Sequence, residues 1–154
     1  MGTTDTSADS QGLVRHASAD DRDGVAGLAA ELAMSFTFSP EKFRVSYPAL
    51  LAEDGACLLV AVSDQEHLGY LLGFRHLTFY ANGPVAWVEE IAVRERDRGR
   101  GIGRALMSEF EQWAAAQECA LIALATRRAA PFYRALGYEE SATYFRKIPG
   151  SQAR

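Results

Sequence analysis

A glycine-rich segment that runs straight into an amphipathic helix constrains this chain more than any other feature. Three glycines alternate there with larger residues, and three arginines flank them; the segment reads Arg98, Gly99, Arg100, Gly101, Ile102, Gly103 and Arg104. Because glycine has no Cβ atom, several backbone N–H groups can converge on one anion in such a bend. The unpaired N–H groups of the following helix and the guanidinium groups add further donors. We therefore predict that this segment, called the cradle below, binds a diphosphate.

Two common phosphate-binding loops do not fit the cradle. A Walker loop ends in a Lys-Ser/Thr pair, and the segment contains no such pair. A dinucleotide-binding fold requires the spacing G-x-G-x-x-G, but Leu106 occupies the position of its third glycine. The diphosphate must therefore belong to another class of ligand.

Within the cradle, Arg98, Gly101 and Gly103 form the pattern R-x-x-G-x-G, which resembles the signature of the GNAT N-acetyltransferases. In that family the loop holds the pyrophosphate of coenzyme A. Upstream, Val88–Val93 is similar to the strand that precedes the family's loop. Downstream, Ala129–Tyr138 resembles the family's A-x-x-F-Y-x-x-L-G-F/Y element. The resemblance covers nearly the whole chain, and two motifs in the right order are more specific than one loop.

The resemblance implies the GNAT fold, an α/β architecture in which helices flank a mixed, mostly antiparallel central sheet that is splayed between its fourth and fifth strands. Hydrophobic periodicity and turn residues predict the order β-α-α-β-β-β-α-β-α-β. The predicted strands cover residues 13–17, 56–63, 68–77, 85–93, 119–125 and 141–147, and the predicted helices cover residues 19–34, a short segment from 40, 101–117 and 129–136. We expect the second helix to be short because Pro48 should kink it, and residues 119–125 to be buried on both faces.

Length and composition favour one domain. The chain has 154 residues, of which we assign 12–149 to the GNAT domain, 1–11 to a disordered N-terminal tail and 150–154 to a C-terminal tail. A formal net charge of −4 argues against nucleic acid as a partner. No apolar run approaches the ~20 residues that span a bilayer, so we expect no membrane contact and a cytoplasmic location. A homodimer is a reasonable default.

Two adjacent acids, Glu89 and Glu90, interrupt an otherwise apolar strand. Neighbouring strand residues point to opposite faces, so only one of them can face the reacting thioester. Alternation groups Glu89 with Ile91 and Val93, and by resemblance Glu89 maps onto the family's general base, which acts through a water. The alternative for Glu89 is a rim carboxylate that binds a cationic substrate or faces solvent. We expect Glu90 to be structural or to contact the substrate.

Tyr133 is the candidate general acid. By resemblance it maps onto the family's tyrosine that lies near the thioester sulfur and can protonate the departing thiolate. The alternative is a core aromatic that packs beside Phe132.

Further cofactor contacts also follow from the resemblance. Backbone N–H groups around Ala92 and Val93 are expected to polarise the acetyl carbonyl, and Ile91 and Phe132 complete the predicted set. Thr126 stands where the family often has Asn, so we expect a weaker or differently made contact with the pantetheine arm.

These features predict an acetyl-CoA-dependent N-acetyltransferase in which a primary amine attacks the thioester directly, without a covalent acetyl-enzyme. No metal is expected, since the three histidines lack a metal-binding spacing. A coenzyme A sensor without useful turnover is the alternative, and a peripheral nucleic-acid or membrane contact of the arginines is a third hypothesis. Whether the acceptor amine is a small molecule or part of a protein stays open.

Overall fold

The computed structural model describes residues 13–33 and 36–150. The predicted tail at 1–11 lies outside the described residues, as do residues 151–154 of the predicted C-terminal tail. The chain divides into two compact units, residues 1–124 and residues 125–154. Along the described parts of the chain, none of the helices has the length and apolar character needed to cross a membrane.

Within its described residues, the first unit contains five strands and three α-helices. The strands are β1 (Leu13–His16), β2 (Ala56–Ser63), β3 (Glu66–Thr78), β4 (Gly83–Val93) and β5 (Ile122–Leu124). The helices are α1 (Arg22–Leu32), α2 (Pro40–Ala52) and α3 (Ile102–Ala116), and 3-10 turns cover Ala19–Asp21 and Glu95–Asp97. This order matches the predicted order as far as β5.

The strands form one sheet in chain order, which confirms the predicted mixed sheet. β1 to β4 pair antiparallel with their neighbours, and β5 pairs parallel with β4. The ladder to β5 covers only Ala86–Val88, whereas β4 continues to Val93. The residues of β4 from Glu89 to Val93 therefore have no β5 partner among the described residues.

Helices cover both faces of the sheet. On one face, α3 approaches β3 closely because Gly73 has no side chain: a Cβ there would overlap the ring of Phe110. On the other face, α1 and α2 enclose a core cluster with alternate residues of β2 and β3. Its buried members are Val25, Leu28, Tyr47, Leu58, Val60, Tyr70 and Leu72.

A two-residue turn joins β2 and β3 into an antiparallel hairpin. Asp64 and Gln65 have φ angles of 50° and 64°. Two successive left-handed residues match the right-handed twist of the flanking strands and make the tightest hairpin connection.

Helix α2 is longer than predicted, because it continues through Pro48 for 13 residues in all. A proline inside a helix removes one N–H donor but does not force the chain to leave the helix. The preceding residue, Tyr47, is buried in the core cluster, and its hydroxyl donates to the Ser18 carbonyl at 2.7 Å. This tertiary contact fixes the helix across the proline.

The expectation for residues 119–125 is wrong in two respects. The strand covers only Ile122–Leu124, and its residues are half-buried rather than enclosed on both faces. The residues before it form the C-terminal cap of α3. Glu118 adopts φ +58°, and the amide of Cys119 donates to the Ala114 carbonyl. Residues in such a left-handed cap are not extended, so fewer residues of the apolar run are left to pair with β4.

Between residues 125 and 150, the second unit contains one helix, α4 (Ala130–Ala135). Gly137 ends it with φ +93°, and its amide donates to the Arg134 carbonyl, which is the usual way in which a glycine ends a helix. The predicted strand at 141–147 is wrong: within the described residues this segment joins no ladder. Tyr144 and Phe145 are neighbours and both are exposed, so the segment lacks the one-sided burial that fixes a strand in a sheet.

Candidate active site

The cradle is a left-handed bend between a 3-10 turn and helix α3. Gly99 and Gly101 have φ angles of +76° and +85°, which L side chains rarely adopt, and α3 begins immediately after, at Ile102. A Cβ at Gly99 would meet no atom within 4 Å. Backbone conformation, rather than lack of space, therefore explains the glycine there.

The backbone N–H groups of the cradle point to no acceptor that the described residues provide. Among those residues, the turn and cap hydrogen bonds include no donor from Gly99 to Arg104, and the first amide to donate is that of Ala105, to the Gly101 carbonyl at 3.0 Å. The first turn of any helix leaves such groups unpaired. An anion at this bend would satisfy several of them at once.

A buried carboxylate, which sequence reasoning missed, fastens the entry to the cradle. Asp97 is 4% exposed, and it accepts hydrogen bonds from the Arg94 Nε at 2.5 Å and from Arg100 at 2.9 Å. The Arg94 guanidinium holds the pKa of Asp97 below its usual value. The signal available in the sequence was the spacing of three residues between Asp97 and each arginine.

The three cradle arginines have different settings. Arg98 donates to the Val93 carbonyl at 3.1 Å, and one guanidinium nitrogen of Arg100 donates to Asp97. Arg104 lies exposed in the first turn of α3. Arg98 and Arg100 therefore brace the loop as well as offering charge.

Strand β4 carries a bulge at Glu89. In the register with β3, Glu90 lies opposite Leu72 and Val88 lies opposite Gly73, so Glu89 has no opposite residue. The bulge adds one residue to β4 and interrupts the regular reversal of side chains at this point of the strand. The Glu89 side chain is exposed.

Glu90 lies on the face of the sheet that α1 and α2 cover. Its Oε1 accepts a hydrogen bond from the hydroxyl of Tyr70 at 2.9 Å. Tyr70 is 2% exposed, and burial together with the Glu90 charge raises the pKa of its phenol far above the usual value. Sequence reasoning missed Tyr70, because the contact depends on the β3–β4 register.

The open half of β4 directs two amides away from β3. The amide of Arg94 donates to the Leu68 carbonyl at 2.7 Å, and Ala92 lies opposite Tyr70. Because antiparallel strands alternate the direction of their N–H groups, the amide of Ala92 faces β3, whereas those of Ile91 and Val93 face the other edge of β4. Of the two residues around which donors to the acetyl carbonyl were predicted, Val93 therefore has its amide on the edge of β4 that faces away from β3.

The remaining predicted site residues belong to the second unit. Tyr133 is 7% exposed, and its ring meets Phe132 edge-on with 5.0 Å between ring centroids. Burial raises the pKa of Tyr133. The Thr126 hydroxyl accepts from the Ala129 amide at 3.1 Å, so it shapes the turn before α4.

Comparison with known proteins identifies the family of this chain. Residues 26–138 match the model of the Acetyltransferase (GNAT) family. Over 109 residues the chain is 32% identical to aminoglycoside N(6')-acetyltransferase type 1 of Stenotrophomonas maltophilia, covering 64% of this chain and 70% of that protein.

Two solved structures show the same fold. Glucosamine-6-phosphate N-acetyltransferase from Arabidopsis thaliana has a TM-score of 0.78 at 17% identity, covering 89% of this chain and 97% of that chain. AAC(6')-Iy in complex with the bisubstrate analog CoA-S-monomethyl-acetylneamine has a TM-score of 0.75 at 21% identity, covering 88% of this chain and 97% of that chain. On the strength of the family match and the fold, this chain belongs to the GNAT acetyltransferase family.

Proposed function

We propose that this chain is an N-acetyltransferase that transfers the acetyl group of acetyl-CoA to a primary amine by direct attack. The observation that carries the proposal is the cradle, where two left-handed glycines precede a helix and the described residues leave the backbone amides without acceptors. Amides of this kind, with arginines beside them, suit the diphosphate of coenzyme A. The aminoglycoside N(6')-acetyltransferase relative supports an amine as acceptor.

Acetyl-CoA supplies an activated acetyl thioester, and the chain's residues supply orientation and proton transfer. Glu89, exposed at the bulge, removes a proton from the attacking ammonium, directly or through a water. The outward amide of Val93 donates to the acetyl oxygen as negative charge develops there. Tyr133 gives its proton to the leaving sulfur, and its raised pKa keeps the phenol protonated at neutral pH.

Direct attack is favoured because the two cysteines are poor nucleophiles. Burial raises the pKa of the Cys57 thiol to about 12 and also raises that of Cys119. A thiol is reactive only as its thiolate. Glu89 acting on an incoming amine is therefore the simpler route.

Thermal unfolding with three ligands tests the cradle. Acetyl-CoA and dephospho-coenzyme A contain the diphosphate, whereas S-acetylpantetheine does not. At ~100 times its dissociation constant, a ligand stabilises the folded state by about 2.7 kcal/mol. We expect this shift with the first two ligands and none with S-acetylpantetheine at the same concentration. An equal shift with S-acetylpantetheine, or a shift with NAD alone, would contradict the proposal.

Thiol release separates the enzyme from a sensor. Acetyl-CoA is mixed with neamine, spermidine or glucosamine 6-phosphate, and free coenzyme A is measured. The proposal expects release that depends on the amine. A clear thermal shift with no release from any amine would favour the sensor alternative.

A further inference from the structure

We propose that Tyr70 is a positioning residue that aims the Glu90 carboxylate at the ammonium group of the acceptor, so that this chain selects cationic amines. The inference rests on the proposed acetyl transfer and specifies its substrate class. Neither Tyr70 nor its contact is evident from the sequence motifs.

The geometry of the contact supports a positioning role. The Tyr70 hydroxyl donates to Glu90 Oε1 at 2.9 Å, and the Tyr70 ring belongs to the core cluster between the sheet and helices α1 and α2. A ring packed in this way cannot follow a mobile carboxylate, so the hydrogen bond holds the carboxylate instead. One oxygen is thereby fixed, and the other is left to accept a second donor.

The charge around Glu90 favours a cationic donor. In the described parts of the chain, the ion pairs within 4.0 Å include neither Glu89 nor Glu90; their acids are Asp21, Asp23, Glu66, Asp97 and Glu140. Glu90 is half-buried, and its one identified donor is a neutral phenol. A carboxylate partly removed from water with only neutral support gains much from a cation.

Position along the strand connects this carboxylate to the reaction. Glu90 lies on the part of β4 that has no β5 partner, beside the bulge at Glu89 and one residue before Ile91. An ammonium held by Glu90 would lie beside the residue that we propose removes its proton. The two acids thus have separate tasks: Glu90 binds, and Glu89 accepts the proton.

The closing experiment measures steady-state kinetics of Tyr70→Phe with neamine or spermidine, whichever the wild type acetylates faster. A hydrogen bond to a charged group accounts for about a tenfold change in an equilibrium constant or more. We expect the KM for the amine to rise about tenfold, with kcat within about twofold of the wild-type value. The dissociation constant of acetyl-CoA should stay unchanged.

Tyr47→Phe is the matched control. Tyr47 is a second buried tyrosine of the same core cluster, and its hydroxyl donates to a backbone carbonyl rather than to Glu90. Loss of its hydroxyl should leave the KM for the amine unchanged. Equal KM increases in both variants would reduce Tyr70 to a core residue and overturn the inference.

Glu90→Gln gives a readout that core packing alone would not move. The glutamine keeps an oxygen that can accept from Tyr70 but has no charge, so the KM for the amine should rise with kcat retained. An unchanged KM for the amine in Glu90→Gln would contradict the inference.

The outcomes distinguish this inference from the proposed function. If the wild type acetylates an amine and neither Tyr70→Phe nor Glu90→Gln changes its KM, positioning is wrong and acetyl transfer stands. If the wild type prefers glucosamine 6-phosphate, which carries a negative charge, the substrate class is wrong. Thermal stabilisation by acetyl-CoA without any turnover overturns the inference in favour of a sensor, whereas no stabilisation removes the cofactor proposal itself.

Discussion

Two carboxylates of the first unit have very different surroundings. At the junction of β1 and α1, Asp21 is almost fully buried and accepts from both terminal nitrogens of Arg15, at 2.7 and 2.9 Å, and from the Ser18 amide at 2.8 Å. His67 Nε2 lies 2.8 Å from Asp21 Oδ1. On β4, by contrast, Glu90 is half-buried and accepts from Tyr70 alone among its identified partners.

The difference indicates what each carboxylate does. Asp21 has both oxygens engaged and an opposite charge beside it, which is the arrangement of a group that supports the fold. A Cβ at Gly24 would overlap the His67 ring, so α1 packs closely against this corner. Glu90 and its neighbour Glu89 lack such compensation within the described residues, as a group awaiting a partner would.

The largest expected effect is a loss of activity without a loss of stability. Glu89→Gln should lower kcat by about 100-fold or more, because it removes a general base. The free energy of unfolding should change by less than about 0.5 kcal/mol, since the side chain is exposed. Steady-state kinetics and urea unfolding measure the two quantities. Glu53→Gln, at an exposed glutamate that follows α2, is the control; equal kcat values for both variants would remove Glu89 from the mechanism.

The second prediction is the reverse, a loss of stability without a loss of activity. Asp21→Asn removes the charge of a buried carboxylate that is paired with the partly exposed Arg15, and should cost about 2 kcal/mol in the free energy of unfolding. The KM and kcat of the remaining folded protein should match the wild type. Asp20→Asn, at the exposed neighbouring residue, should cost far less. If Asp21→Asn is as stable as Asp20→Asn, the structural reading of this corner is wrong.

Acid unfolding sharpens the same comparison. The Arg15 guanidinium is the main cause that holds the pKa of Asp21 well below its usual value. A lowered folded-state pKa stabilises the fold above the unfolded value of about 3.9, and this contribution is lost as the pH falls toward the folded value. Stability measured from pH 5 downward should therefore fall less steeply in Asp21→Asn than in the wild type.

A smaller effect is expected at the entry to the cradle. Asp97→Asn weakens the attachment of Arg94 and Arg100 to the loop, so binding must order these side chains at its own cost. A cost of this kind weakens binding by about two- to tenfold. Calorimetric titration with acetyl-CoA measures it, and Asp54→Asn, at an exposed aspartate after α2, should bind like the wild type. Unchanged affinity for acetyl-CoA in Asp97→Asn would mean that this carboxylate does not contribute to binding at the cradle.

The smallest effect is expected for Tyr47→Phe, which removes one neutral hydrogen bond and should cost about 1 kcal/mol. Burial raises the pKa of Tyr47 to about 12. A raised folded-state pKa means that the wild type loses stability as the pH rises from about 10 toward 12. Urea unfolding at pH 8 and pH 11 should show a smaller loss in the variant. An identical loss would place the alkaline sensitivity elsewhere.

Local signals were sufficient to predict much of this molecule from its sequence. The cradle glycines and the hairpin at Asp64 depend on backbone conformations that neighbouring residues specify. The apolar stripe of α3 is buried as its spacing predicted, from Ile102 through Leu106 to Phe110. Periodicity and turn chemistry act over a few residues and are readable without tertiary structure.

The errors occurred where a distant contact decides the outcome. α2 passes Pro48 because Tyr47 is anchored to Ser18, 29 positions earlier in the chain. The bulge at Glu89 follows from the register between β3 and β4, which no local pattern specifies. The same register brings Tyr70 to Glu90, so the hydrogen bond between them could not be predicted from the sequence either.

The central claim is that the backbone amides of the cradle bind the diphosphate of coenzyme A. A crystal structure of the full chain with coenzyme A tests it most directly. We predict diphosphate oxygens within about 2.7–3.2 Å of amide nitrogens between Gly99 and Arg104. A coenzyme A bound with its diphosphate elsewhere, or cradle amides already engaged by other parts of the protein, would contradict the account.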